Sequence, residues 1–423
     1  MTADQDWFEY DRFGMFVHWG LYALAARHEW VQSREQIAPD TYEQYQQYFA
    51  ADRYDPKRWA ELAAEAGMKY VVLTTKHHEG FCLWDSQLTD YKSTNTPFGR
   101  DAVAEFVTAV RDAGLKVGFY HSVIDWHHPD FPIDQIHPLR EDPDAAKINE
   151  GRDIAKYREY LHGQVTELLT NYGEISYLFY DFSYPESRDP RYAGKGKEAW
   201  GSEDLMALTR KLQPGIIVND RLDLPGDLAT PEQYQPSGPM LRDGKPVRWE
   251  ACQTINGSWG YDRDNLDAKP VDLLVRMLVD GVSKGGNLLL NVGPNGRGEI
   301  DPPDAARLRE IGDWMDLHAD AIYGAGPSDL TPPPGGVYTQ RGNKLYLHLF
   351  TWPMRHIHLP DLAGKIRYAQ LMNDASEVKF TEVSPDQKAQ NTTPGGQPAG
   401  TVTLSLPVRP PQTAVPVVEI FLN

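Results

Sequence analysis

The segment SYLFYDF at residues 176–182 runs through apolar and aromatic residues and then ends close to a carboxylate, Asp181. Six further segments share this design, with apolar residues first and polar, ionisable or aromatic side chains at the end. They are FVHWG (16–20), YVVLTTK (70–76), KVGFYHS (116–122), IIVND (216–220), VRWEACQ (247–253) and NLLLNVG (287–293). Short apolar runs of this kind predict seven β-strands.

Amphipathic stretches separate most of these strands. They lie at about 55–66, 100–113, 150–172, 202–212, 270–284 and 303–318. Strands that alternate with helices indicate an α/β fold with a parallel sheet. Because the polar residues gather where the strands end, and barrel enzymes carry their sites at that face, we predict a (β/α)8-like barrel. Seven strands instead of eight mean either an irregular barrel or one strand that escapes recognition.

The helical periodicity stops near residue 326, at Gly326-Pro327 and a Pro-Pro-Pro-Gly-Gly cluster at 332–336. The segments that follow alternate apolar and polar residues with a period of two, which predicts an antiparallel β-sandwich. We therefore expect two domains, a catalytic barrel over 1–325 and a sandwich over 326–423, with a long loop at 385–400. The predicted sandwich strands are KLYLHLF (344–350), HIHLP (356–360), IRYAQLM (366–372), TVTLSLP (401–407) and VVEIFLN (417–423).

The charge of the chain excludes some classes of partner. It has 423 residues, with 60 Asp and Glu against 42 Lys and Arg, for a net charge of −18. Such a surface repels phosphate backbones and anionic membranes, so nucleic acid is not an expected partner. No window approaches the ~20 apolar residues of a membrane span. The N-terminal residues do not resemble a signal peptide, so we expect a cytoplasmic protein, with a homo-oligomer as one option.

A carboxylate at the end of an apolar strand, such as Asp181, is either a structural strand-end residue or a catalytic group. Hydrolysis of a glycosidic bond with retention needs a second carboxyl about 5 to 5.5 Å away. The candidates are Asp220 after the fifth strand, Glu232 in ATPEQY (229–234) and Glu250 within the sixth strand. We favour Glu232 as acid/base, because a loop carboxyl can reach a leaving group at the barrel mouth. Glu250 is better placed to bind sugar hydroxyls or to anchor a neighbour.

Histidines form the second signal, since His18, His77, His78 and His121 all follow or end predicted strands. Imidazole is a common zinc ligand, but neither His-x-His nor His-Glu-x-x-His occurs, and neighbouring strand residues point to opposite faces. We therefore expect no metal and no other cofactor. Neutral histidines that bind adjacent hydroxyls of a small sugar account for the pattern. Each one taken alone could also be a hydrogen-bonded core residue.

Five segments together resemble glycoside hydrolase family 29, the α-L-fucosidases, in the same order over residues 8–325. They are FGMFVHWG (13–20), KHHEGFCLWDS (76–86), the Asp181 strand, VNDR (218–221) and SKGGNLLLNVGP (283–294). The resemblance implies a retaining double displacement with Asp181 as nucleophile, and TPEQY, about a dozen residues after NDR, points to Glu232 as acid/base. It also implies a fucose pocket formed by His18, Glu29, Trp30, His77, His78 and Arg221, with Trp259 against the C6 methyl.

Two positions depart from the pattern of this family. Phe179 stands where members often carry Trp, and His121 stands where Tyr is common, so linkage preference is open. His121 and Glu250 complete the predicted substrate contacts. The expected substrate is a fucosylated oligosaccharide or glycoconjugate. Two alternatives remain at this point: a glycosidase for another L-configured sugar such as an α-L-galactoside, and a non-catalytic carbohydrate-binding barrel.

Overall fold

The computed structural model of the chain describes residues 6–382 and 395–423, so most of the loop predicted at 385–400 lies outside the described residues. Each of the seven strands predicted for the barrel is present, and a short hairpin, β6 with β7, is added. In chain order the strands of this part are β1 Phe13–Val17, β2 Tyr70–Lys76, β3 Lys116–Ser122, β4 Tyr177–Asp181, β5 Ile217–Val218, β6 Leu241–Arg242, β7 Lys245–Pro246, β8 Glu250–Thr254 and β9 Asn287–Val292.

The seven predicted strands form one parallel sheet in the order β5-β4-β3-β2-β1-β9-β8. This order leaves β5 and β8 at the two ends of the sheet. Residues 228–233 run between them. Three isolated parallel bridges hold this segment, and they join Asn219 to Leu228, Ala229 to Trp249 and Glu232 to Cys252.

The segment 228–233 therefore takes the place of the eighth strand and closes an irregular barrel. Cys252 N donates to Pro231 O over 3.0 Å, and Gln233 N donates to Cys252 O over 3.1 Å. Pro231 has no N–H of its own, so the hydrogen-bond ladder of this segment stays incomplete. Glu232, which we predicted on a loop, lies on this closing segment.

Alternation along the strands divides the side chains between the barrel interior and the layer beneath the helices. Phe16, Tyr120 and Phe179 belong to the interior cluster, whereas Val17, Phe119 and their neighbours pack against the helices. The helices are α1 Trp7–Asp11, α2 Tyr22–Ala25, α3 Val31–Arg34, α4 Pro39–Tyr42, α5 Pro56–Glu65, α6 Ala102–Asp112, α7 Ala145–Asn149, α8 Ile154–Asn171, α9 Lys197–Trp200, α10 Ser202–Leu212, α11 Val271–Ser283 and α12 Pro302–His318. The six long ones match the predicted helices. Asp side chains cap α5, α6 and α8 by accepting a backbone N–H of the first turn.

The C-terminal strands form two antiparallel sheets, β10-β11-β16-β13 and β12-β15-β14, which enclose a second apolar core. Two of them, β10 and β14, were not predicted from the sequence. Trp314 of α12 donates to Val415 O over 2.9 Å, which ties this part to the helices of the barrel. The strands are β10 Gly336–Arg341, β11 Lys344–Leu349, β12 His356–Leu359, β13 Ile366–Leu371, β14 Lys379–Glu382, β15 Val402–Ser405 and β16 Val417–Leu422.

The predicted domain boundary at 326 falls in the connection between α12 and β10, and it stays a prediction. None of the helices within residues 6–382 and 395–423 combines the length and the apolar character that a bilayer-spanning segment needs.

Candidate active site

A cavity opens where the barrel strands end. Of the candidate site residues named from the sequence, Glu29, His121, Asp220 and Glu250 are the ones missing from its wall. The lining residues are Phe16, His18, Trp30, His77, His78, Tyr120, Phe179, Asp181, Phe182, Arg221, Glu232, Cys252 and Trp259.

Asp181 is the last residue of β4 and is only 7% exposed. One carboxylate oxygen, Oδ1, accepts from Arg221 Nη1 over 2.9 Å, and the other, Oδ2, accepts from the Tyr120 hydroxyl over 2.8 Å. Burial raises the pKa of Asp181 above its ordinary value, and the positive charge of Arg221 opposes that rise. The carboxylate is thus fixed by two donors and open to the cavity.

Arg221 follows β5 and lies between two carboxyl groups. Its Nε donates to Thr230 Oγ1 over 3.0 Å, and its Nη2 donates to Thr230 O over 3.2 Å, which orients the guanidinium. Its Nη1, already paired with Asp181, also lies 2.6 Å from Glu232 Oε2. The Glu232 side chain is 38% exposed, so it stands at the rim, whereas Asp181 stands deeper.

The shared nitrogen sets a limit on the distance between the two carboxyls. Because Asp181 Oδ1 and Glu232 Oε2 lie 2.9 Å and 2.6 Å from Arg221 Nη1, they are at most about 5.5 Å apart. Retaining glycosidases place their carboxyl groups about 5 to 5.5 Å apart, whereas inverting enzymes leave room for a water between them. The geometry therefore favours covalent attack by one carboxylate over activation of a water between them.

Three neutral histidines line the cavity beside Asp181. His18 Nδ1 pairs with Asn291 Oδ1 over 2.6 Å, and burial lowers the pKa of His18 to about 3. His78 Nδ1 pairs with Ser122 Oγ over 2.7 Å, and burial lowers the pKa of this ring, as of His77, well below its ordinary value. Uncharged imidazoles held in this way are suited to hydrogen bonds with sugar hydroxyls.

The adjacent His77 and His78 were predicted to point to opposite faces of a strand, and that prediction is wrong. β2 ends at Lys76, and both histidines lie in the turn that follows, so both rings reach the cavity with centroids 4.0 Å apart. Within the described residues, no group of three or more His, Cys, Asp or Glu side chains is arranged to hold a metal ion.

Aromatic rings supply the apolar part of the wall. The Trp259 ring lies 5.2 Å from His18, and the Trp30 ring packs edge-on against His78 at 4.9 Å. Phe179, one of the two departures from the family pattern, lies 5.1 Å from the Arg221 guanidinium. Such rings present flat apolar faces to the C–H groups of a sugar.

The structure does not bring Glu29 and Glu250 into the cavity wall. Glu29 is buried behind it, where Oε2 accepts from Gly260 N over 2.8 Å and so braces the loop that carries Trp259. Glu250 is the first residue of β8, at the opposite end of the barrel, and accepts from the Tyr70 hydroxyl. Its geometry speaks against both roles considered for it, as acid/base and as sugar ligand.

His121 is also absent from the cavity wall, and Tyr120 occupies the place we expected for it. His121 faces the helical layer, where Nδ1 lies 3.1 Å from Thr75 Oγ1 and the ring meets Trp84. Neighbouring residues of a strand point to opposite faces, so Tyr120 faces the interior and reaches Asp181. Tyr120 could have been identified from strand geometry. It lies two residues before Ser122 and so shares its face of β3, and Ser122 is paired in register with Asp181.

Known proteins share sequence and fold with this chain. The family model Alpha-L-fucosidase matches residues 2–320. The tissue α-L-fucosidase of Bos taurus is 31% identical over 380 residues, which cover 82% of this chain and 75% of the relative. The structure of α-L-fucosidase isoenzyme 1 from Paenibacillus thiaminolyticus superimposes with a TM-score of 0.90 at 44% identity, over 99% of this chain and 98% of that one.

A further structure is an α-L-fucosidase from Bacteroides thetaiotaomicron, trapped as a covalent intermediate in complex with 2-fluoro-fucosyl fluoride. It is 28% identical, with a TM-score of 0.82 over 99% of this chain and 97% of that one. These matches confirm the predicted barrel with a β-sandwich. They also confirm the family to which the ordered motifs pointed: the chain belongs to glycoside hydrolase family 29, the α-L-fucosidases.

Proposed function

We propose that the enzyme removes terminal α-L-fucose from fucosylated oligosaccharides or glycoconjugates by a retaining double displacement. Asp181 is the nucleophile and Glu232 the acid/base. The observation that carries this assignment is the single nitrogen, Arg221 Nη1, which contacts both carboxyls and keeps them within about 5.5 Å. Family membership disfavours a binding protein without activity, which would need neither carboxylate.

In the first half-reaction, Asp181 forms a bond to the anomeric carbon while the bond to the leaving oxygen breaks. Glu232 gives its proton to that oxygen. Before this step the negative charge resides on Asp181, and afterwards it resides on Glu232. At each stage one of the two carboxyls is negatively charged and Arg221 is positively charged, so the three side chains together stay neutral. Arg221 contacts both carboxyls and therefore pairs with the charged one in either state. A cation placed in this way stabilises the charge wherever it develops.

In the second half-reaction, Glu232 takes a proton from water, and the resulting oxygen attacks the anomeric carbon from the face that the leaving group vacated. The bond to Asp181 breaks, and the enzyme returns to its first state. The partial exposure of the Glu232 side chain, 38% against 10% for that of Asp181, suits this division, since only the acid/base must meet the leaving group and water.

The cavity wall supports a small, partly apolar sugar. His18, His77 and His78 offer neutral ring nitrogens, whereas Phe16 and Trp259 offer apolar surface. A methyl group at C6 has favourable contacts with such surface, whereas the hydroxymethyl group of a galactoside would lose hydrogen bonds to water there. We therefore place the C6 methyl of fucose against Trp259.

The test is chemical trapping with 2-fluoro-fucosyl fluoride, followed by peptide mapping. We expect a stoichiometric adduct on Asp181, and an adduct on any other residue would overturn the assignment. Proton NMR of the first product should show α-L-fucose before mutarotation, whereas β-L-fucose would rule out retention. A nitrophenyl α-L-galactoside serves as the matched substrate, and we expect at least a tenfold lower kcat/KM for it.

A further inference from the structure

Glu79 is a buried carboxyl that the proposed mechanism does not use. It lies in the turn after β2, two residues beyond His77, and is only 1% exposed. It does not line the cavity itself but lies next to His77, which does. The question is what a buried carboxyl does at that place.

Two buried polar groups face each other there without a hydrogen bond. Within the described part of the chain, His77 Nδ1 and both carboxyl oxygens of Glu79 have no partner, and Glu79 Oε2 lies 3.7 Å from His77 Nδ1. An unpaired buried polar group destabilises the folded protein, because it has lost its hydrogen bonds to water without replacement. A movement of less than about 1 Å brings this pair to an ordinary hydrogen-bond length. A hydrogen bond between His77 and Glu79 would therefore satisfy a buried polar atom on each residue.

The surroundings of Glu79 keep its carboxyl close to His77. A Cβ at Gly20 would lie 3.0 Å from Glu79 Oε1, so the glycine leaves the space that the carboxyl needs. Burial raises the pKa of Glu79 to about 8. The other titratable groups that act on Glu79 or feel its charge are Tyr22, Glu29, Tyr42, Lys76, Tyr91 and Asp125.

His77 connects this carboxyl to the reacting centre. Its ring stacks on Tyr120 at 5.5 Å with an interplanar angle of 9°, and Tyr120 donates to Asp181. Because Nδ1 is turned toward Glu79 and the ring lines the cavity, Nε2 is the nitrogen left for a bound sugar. Whether Nε2 donates or accepts depends on which group holds the proton at Nδ1.

We propose that Glu79 is a positioning residue whose carboxyl donates a hydrogen bond to His77 Nδ1. This bond keeps the imidazole in the tautomer that presents an Nε2–H to a hydroxyl of the sugar. The proposal rests on the proposed function, since it takes fucose as the occupant of the cavity. A carboxyl that keeps its proton at neutral pH can donate to the unprotonated Nδ1 of a neutral His77.

The first experiment compares Glu79→Leu and Glu79→Gln with the unchanged enzyme, using L-fucose as a competitive inhibitor. Leucine removes the donor, and we expect the inhibition constant to rise about tenfold while kcat changes less than threefold. The amide of glutamine still donates to Nδ1, and we expect affinity within about threefold of the unchanged enzyme. Equal losses in both variants would show that a hydrogen bond from this position is not what matters, and would overturn the proposal.

The second readout is pH. Above about pH 8 the Glu79 carboxyl loses its proton and accepts from Nδ1 instead, so Nε2 loses its hydrogen. We expect the inhibition constant of the unchanged enzyme to rise through this pH, and that step to be absent in Glu79→Gln. A step that persists unchanged in the glutamine variant would contradict the assignment.

The third experiment needs no variant of Glu79. Ring nitrogen NMR of histidine-labelled enzyme, with His77→Gln to assign its signals, should show His77 Nδ1 without a proton and Nε2 with one at pH 7. The reverse tautomer would overturn the proposal even if the Glu79 variants failed to fold. Trapping of Asp181 by 2-fluoro-fucosyl fluoride reports separately on the proposed function, because it does not depend on the tautomer of His77.

Discussion

Asp181 and Glu250 are two buried carboxyls on strands of the same barrel, and their surroundings give them different properties. Asp181 ends β4 at the mouth, where Arg221 and Tyr120 hold it and the cavity exposes it. Glu250 begins β8 at the floor of the barrel, the end opposite the cavity. There it accepts from the Tyr70 hydroxyl, and burial raises its pKa to about 7. Burial alone therefore does not identify a catalytic carboxyl. The proposed catalytic role of Asp181 rests instead on a nearby cation, a second carboxyl and access to a cavity.

The largest effect on activity that this comparison of Asp181 with Glu250 predicts is at Asp181. Replacement of Asp181 with Gly removes the proposed nucleophile, and we expect kcat to fall by at least about 10⁴-fold while the protein stays folded. Azide should restore turnover by forming a glycosyl azide of inverted configuration. Circular dichroism and a nitrophenyl fucoside assay measure both effects, and full activity in this variant would end the assignment.

The second test removes the cation that distinguishes the mouth from the floor. In Arg221→Met the two carboxyls lose the charge that they share, and we expect kcat/KM to fall by about 10³-fold, with part of it regained in Arg221→Lys. Stability should also fall, because a buried charge loses its partner. Steady-state kinetics of the two variants decide this, and a loss of less than tenfold in Arg221→Met would contradict the role given to Arg221.

The third test compares two interior tyrosines with the same substitution. Tyr120→Phe removes the hydroxyl that donates to Asp181, and we expect kcat to fall by about 10-fold to 150-fold, the range for a hydrogen bond to a charged group. Tyr177 is the first residue of β4, the strand that ends in Asp181, so it lies at the end of the barrel away from the cavity. We expect Tyr177→Phe to change kcat by less than twofold, so equal effects in the two variants would remove the distinction between mouth and floor.

The smallest effect on activity is expected at Glu250. Folded Glu250 holds its proton up to about pH 7, whereas the unfolded chain releases it near pH 4.5, so its contribution to stability is full below pH 4.5 and is lost as the pH rises to 7. In Glu250→Gln this loss is absent. Urea unfolding should show the variant gaining up to about 3 kcal/mol relative to the unchanged protein between pH 4.5 and 7.5, with activity within twofold.

Much of the barrel followed from the sequence because its strands are nearly continuous apolar runs between helices. The closing segment 228–233 was missed as a strand because Pro231 breaks its ladder and Thr230, Glu232 and Gln233 break its apolar run. β14 was missed for a related reason: it is four residues long and mostly exposed, so it shows no buried face. Local pattern predicts an element only where burial imposes one.

The sequence predicted which types of residue form the site better than it predicted which side chains point into the barrel interior. The apolar strand that ends in Asp181 and the NDR motif with Arg221 led to the mouth, where both side chains lie. The sequence does not show that Tyr120 and not His121 faces the interior, because β3 is buried on both faces and so has no apolar-polar alternation. Cys252 was missed as a wall residue for the same reason, since it shares the interior face of β8 with Glu250. The contact of Glu29 with the Trp259 loop depends on tertiary packing that no local pattern contains.

The closing segment also has a consequence for how such an enzyme can change. The strand of Asp181 is hydrogen-bonded on both sides, to β3 and to β5, whereas Glu232 belongs to a segment held by isolated bridges. Insertions or replacements around residues 223–233 would thus relocate Glu232, the proposed proton donor, and reshape the exit for the leaving group, without disturbing Asp181, the proposed nucleophile. Engineering of linkage preference should begin at this closing segment.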